Sequence, residues 1–170
     1  MITAKKFDHI KKDFVNRYQR HLCEESLVDI EAAKDWKSFA AVLRKYMVFN
    51  SYRPFPEVEW VRKWFTREKM SLNEENIYLD QIISVADPDT PVMLYGDCLC
   101  NVVYSKAGVH RVMAQDTSKI NLFTYNKATV FVKLKDDATL TERVNRKGAI
   151  IKVRHYETRI DKAYNEPQWR

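Results

Sequence analysis

The sequence predicts an α+β protein: a helical N-terminal half, then a β-repeat region that reads as a flattened parallel β-solenoid. Three observations carry this. Through the first half, apolar residues recur at spacings of three and four, the period of one helix face. From Asp97 the chain divides into rows of ten without a gap, and the second place of each row is small. Within those rows a period-2 alternation runs on through the row boundaries, where hairpins with two-residue turns would break phase. The expected boundaries are 1–86 for the helical region, 92–160 for the repeat and 161–170 for a C-terminal tail. The segment "ADPDTP" at 86–91 ends all helical periodicity and separates the two halves.

Each helix has its own signature. Phe7, Ile10, Phe14, Tyr18 and Leu22 form one face over 4–22, with Lys5, Lys6, Lys12, Asp13, Arg17 and Arg20 opposite. A short helix fits 25–33. Asp35 suits the N-cap of a third, whose stripe is Trp36, Phe39, Ala40, Leu43 and Met47. The loop "NSYRPFP" ends it, because each proline restricts the residue before it. Pro56 suits the first turn of a fourth helix carrying Val58, Val61, Trp64 and Phe65. A fifth, capped by Ser71 or Asn73, would place Glu74 and Glu75 near its positive end and Ile77, Ile82 and Ile83 inward.

In the repeat, the small second places are Cys98, Gly108, Ser118, Ala128, Ala138, Gly148 and Thr158. The fourth places are Cys100, His110, Ile120, Val130, Leu140, Ile150 and Ile160. Ten residues are too few to circle a core, so each row is half a coil and residue i lies on i+20, at the spacing of neighbouring strands. About three coils result. Val112 should sit on Val132, Ile120 on Leu140 and Ser118 on Ala138. Asp116, Asn126 and Asp136, in the tenth places, suit corners whose amides need side-chain partners. Glu142, Lys152 and Arg154 fall in inward phase and read as a charged terminal rung. An antiparallel β-meander is the alternative, since a ten-residue strand-plus-turn spacing fits it too.

Composition bounds the function. The chain has 170 residues with a net charge of +6, 45% hydrophobic and 31% charged, enough for a core without disulfides or metals. Only three glycines exclude a Gly-rich phosphate loop. No apolar run approaches the roughly 20 residues of a membrane span, and the opening Met-Ile-Thr-Ala-Lys-Lys lacks an apolar signal core. A membrane partner is therefore not expected, and a host-cytoplasmic or virion location is. Three cysteines without an export signal fit a reducing compartment. Cys98 and Cys100 form a lone C-x-C. His9, His21 and His155 have no second ligand at metal spacing, so neither metal nor cofactor is expected.

The alternation "V-x-A-x-D-x-S-x-I-x-L-x-T-x-N-x-A-x-V" at 112–130 resembles a short-rung repeat, Val-x-Ala-x-Gly/Asp-x-Ser-x-Val. That repeat is similar to runs in uncharacterised β-solenoid proteins of phages and mobile elements. The resemblance spans about 97–160. It implies a rigid display surface, not a reaction, and a structural or virion protein. The leading expectation is thus a non-enzymatic module presenting a β surface to a protein partner or to further copies, with the helical half covering the first coil. Phe123, Tyr125, Phe131, Lys133 and Lys135 are the expected outward contact residues. The alternative is nucleic-acid binding through Arg111, Lys119, Arg146 and Lys147, favoured by the positive charge. An enzyme built on Asp97, Cys98, Cys100 and His110 is a third reading, without a catalytic motif or an evident small-molecule substrate.

Overall fold

The structure, a computed structural model, describes residues 4–47, 56–146 and 148–156. The chain forms two compact units, Met1–Glu75 and Asn76–Arg170. Among the described residues no helix is long and apolar enough to cross a membrane.

The first unit carries α1 (Ala4–Tyr18), a 3₁₀ turn (Gln19–His21), α2 (Glu24–Ala32), α3 (Trp36–Met47), α4 (Val58–Phe65) and α5 (Lys69–Asn73). Of the α1 stripe, Phe7, Ile10, Phe14 and Tyr18 are buried as read, but the helix ends at Tyr18 and Leu22, past the 3₁₀ turn, is half-buried. Its core is aromatic, with Phe14 edge-on to Trp60 at 4.9 Å and to Phe39 at 5.5 Å. Asp35 caps α3. Its Oδ1 accepts the Ser38 N–H at 2.7 Å, and Ser38 Oγ accepts the Asp35 N–H at 3.1 Å, so two end donors are satisfied reciprocally. In α4 the fully buried tryptophan is Trp60, and Trp64 is half-buried. Both indoles donate to Asp13 Oδ2, at 2.8 and 2.9 Å, which fixes α4 against the charged face of α1. Most of the "NSYRPFP" loop lies outside the described residues.

The second unit is the parallel β-solenoid. Its strands are β1 (Ile77–Leu79), β2 (Ile82–Ala86), β3 (Val92–Tyr95), β4 (Leu99–Tyr104), β5 (Gly108–Ala114), β6 (Lys119–Thr124), β7 (Ala128–Lys135), β8 (Thr139–Asn145) and β9 (Ile150–Tyr156). They form an odd sheet, β1-β3-β5-β7-β9, and an even sheet, β2-β4-β6-β8, with every pairing parallel. The antiparallel alternative is excluded. Val112 pairs with Val132 and Ile120 with Leu140, as the twenty-residue coil requires.

Three expectations are corrected. The β region starts at residue 76, not 92, so α5 stops at Asn73 and Ile77, Ile82 and Ile83 lie in strands. About four coils result instead of three. The first coil is short: Ile77 pairs with Met93 and Ile82 with Leu99, which puts it out of phase with the later rows. At the other end an extra residue enters β8. The register shifts between Ile120 and Asn121, so that Asn121 pairs with Glu142, and Thr129 with Ile150. A one-residue slip reverses which side chains face the core. Ile151 and Val153 therefore pack on the core, and Lys152 and Arg154 share the outer face with Phe131 and Lys133. There is no charged inner rung at Lys152 and Arg154. The tail at 161–170 lies outside the described residues.

The corners explain the small places and the Asx residues. Cys98, Ser118 and Ala138 are each 1% exposed or less, where the backbone turns inward. Asp80, Asp116 and Asp136 take left-handed backbone at one corner, as does Gly96. At the opposite corner Asp87 is left-handed. It accepts the Ser105 N–H at 2.7 Å and the Ser105 hydroxyl at 2.5 Å, tying one coil to the next.

Candidate functional site

The outer face of the odd sheet gathers charge. In a pleated strand alternate residues share a face, so Arg111 on β5, Phe131, Lys133 and Lys135 on β7, and Lys152 and Arg154 on β9 all point outward. Arg111 pairs in register with Phe131, and Phe131 with Lys152. The half-buried ring thus lies between two exposed cations, one from each neighbouring coil. The Lys152 ammonium lies over the ring, 5.5 Å from its centroid. Lys133 follows two residues along β7 and pairs with Arg154.

These cations are a true cluster of like sign. Burial depresses the Lys133 pKa, and the positive fields of Arg154 and Arg111 depress it further. Among the described residues no acid lies in ion-pair range of Arg111, Lys133 or Lys152. Lys135 differs, its ammonium lying 3.6 Å from the Asp136 carboxylate. Arg154 is only 9% exposed, so it adds field more than contact.

The expected residues are only partly brought together. Phe131, Lys133 and Lys135 share this face with Arg111, which joins two sets that the sequence kept apart. Phe123 lies on β6, outward on the even sheet, in register with Val103, and Tyr125 follows at the corner after β6. Neither can share one contact with Phe131. Lys119 is outward on the even sheet, paired with Leu99 and Thr139. Arg146 is exposed at the corner after β8, and Lys147 lies outside the described residues. Sequence reading missed Lys152 and Arg154 as members of the face. Their inward phase, in a strand otherwise rich in Ile and Val, was the available sign that a residue had been inserted upstream.

The outer face of the even sheet carries a run of hydrogen-bonded polar side chains. Asn121 donates its amide to Asn101 Oδ1 at 2.8 Å, and Asn101 donates to Ser84 Oγ at 3.3 Å, a polar ladder across three coils.

Two of the three thiols are interior. Cys98 and Cys100 are 1% exposed or less, and burial pushes the Cys98 thiol up and Cys100 to about 12. A thiol so held is protonated at neutral pH and is a poor nucleophile. His110 stacks on the buried Tyr104 ring at 4.2 Å, with its Nε2 3.3 Å from the Lys106 carbonyl oxygen. Among the described residues no group of three or more His, Cys, Asp or Glu side chains is placed to hold a metal.

Fold and surface together define a β-solenoid protein with one cationic sheet face. Compared with known proteins, the chain matches no family model, no curated protein and no solved structure.

Proposed function

We propose that this protein is a non-enzymatic binding module whose solenoid presents the odd-sheet face to a polyanionic partner. The observation that carries this is the arrangement of Arg111, Lys133, Lys152 and Arg154 on adjacent coils without acids to neutralise the first three. A sheet fixes the backbone beneath such charges, so the ordering left at binding is that of the side chains alone. The net charge of +6 adds long-range attraction. Retention on heparin resin tests it. Arg111→Gln with Lys152→Gln should elute at clearly lower salt than wild type. Lys119→Gln with Arg146→Gln, the same charge change off this face, should elute close to wild type. Equal shifts for both pairs would show that only net charge matters and would end the proposal.

The even sheet supports a second reading, contact with protein. Ile82, 81% exposed, pairs with the exposed Leu99, and Val103 pairs with the half-buried Phe123. If further copies of the chain dock there, Ile82→Ser with Phe123→Ser should abolish self-association in sedimentation velocity. A wild type that is monomeric at high concentration removes this reading.

A further inference from the structure

We infer that the polyanion is a single-stranded nucleic acid, held with one base on the Phe131 ring and the phosphates flanking that base on Arg111 and Lys152. This deepens the binding reading above and rests on it.

Three features favour this ligand over an acidic protein or a duplex. The first is the centre of the face. Protein interfaces keep their central residues apolar and place charge at the rim. Here Phe131 has cations directly across both neighbouring strands and a third two residues along its own strand, which is the interleaving of ring and charge that single-strand platforms use. The second is spacing. Arg111 and Lys152 stand two strand spacings apart, about 10 Å at the backbone. Long side chains on either flank of one ring can therefore take the two phosphates of one nucleotide. The third is the state of the ring. Lys152 lies over the half-buried ring, its ammonium 5.5 Å from the centroid, a contact of modest strength. A base can replace the ammonium over the ring, and the ammonium then moves to the phosphate. A duplex offers no unstacked base, so it would leave the ring unused. Phe131 has no hydrogen-bonding group, so the site should be indifferent to base identity.

The test is fluorescence anisotropy with the whole chain and three probes: a labelled oligothymidylate, an abasic oligonucleotide of equal length, and poly-glutamate. Oligothymidylate should bind about tenfold or more tighter than the abasic strand. Phe131→Leu, which keeps apolar bulk but loses the π face, should remove that difference and leave abasic binding unchanged. Arg111→Gln and Lys152→Gln should each weaken both strands and lower the salt slope by roughly 0.7. Melting curves establish that each variant is folded. Equal binding of thymidylate and abasic strands, or tighter binding of duplex than of single strand, overturns the inference. Poly-glutamate binding as tightly as oligothymidylate overturns it while leaving the polyanion module standing. Loss of face-specific heparin retention overturns both.

Discussion

Placing a carboxylate at position 132 tests the solenoid's interior. Val132 is 1% exposed and lies in register between Val112 and Val153. The core cluster it belongs to holds Val130, Leu122, Ile120, Ala114 and the thiol of Cys100, and the one buried cation among the described residues, Arg154, lies on the outer face. Val132→Asp loses the burial of a valine, roughly 1.5–3 kcal/mol. It adds an unpaired carboxylate, which costs several kcal/mol more or is relieved by taking up a proton. The sum, about 5 kcal/mol or above, rivals the whole stability of a typical domain, about 5–15 kcal/mol. At about 4–8 °C per kcal/mol for a domain of 60–100 residues, the β transition should fall by 20 °C or more, or be absent at 25 °C. Circular dichroism in the β region, followed with temperature, reads this directly. Thr129→Asp, three residues away on the outer face, should stay within about 0.5 kcal/mol of wild type. A Val132→Asp protein melting within a few degrees of wild type would refute the placement of β7.

Other outcomes follow from single contacts. Asp35→Ala removes the α3 cap and should lower helical-unit stability by about 1 kcal/mol in urea denaturation, with an unchanged m-value. The Ser105 bonds hold the Asp87 carboxyl below the usual range. Its contribution is therefore present above the carboxyl's unfolded pKa and is lost as pH falls through the lower folded one. Asp87→Asn, which suits left-handed backbone but does not titrate, should flatten the acid limb of stability against pH; an unaltered limb would remove Asp87 from that role. Of the three cysteines, exposed Cys23, its thiol pKa lowered by hydrogen bonds from Ser26, should react quickly with a disulfide reagent at neutral pH. Cys98 and Cys100 should react only on unfolding, so three fast thiols would contradict the buried core.

Much of the solenoid was legible because its code is local. The twenty-residue coil shows in Val112 over Val132, and the tight corners show in Cys98, Ser118 and Ala138. What escaped reading depends on register, which sequence period reports only while coil length is constant. The first coil, with Ile77 opposite Met93, is shorter than the rest, so its isoleucines pass for a helix face. The extra residue in β8 moves Lys152 and Arg154 from the apparent core to the surface, and with them the most charged part of the candidate face. The pairing of Trp60 and Trp64 on Asp13 was hidden for a different reason. It joins residues far apart in sequence, and each looks ordinary within its own helix.

Successive coils bring Arg111, Phe131 and Lys152 side by side, and the binding face depends on it. Spin labels at Arg111→Cys and Lys152→Cys, in a Cys23→Ser background, measure this through the dipolar broadening of their continuous-wave EPR spectrum. With β5, β7 and β9 adjacent, the labelled backbone sites are about two strand spacings apart, near 10 Å, and the broadening should be strong. In a meander, β6 and β8 would intervene and the separation would double to about 19 Å. A spectrum equal to the sum of the two singly labelled proteins would contradict the coil stacking, and the binding face with it.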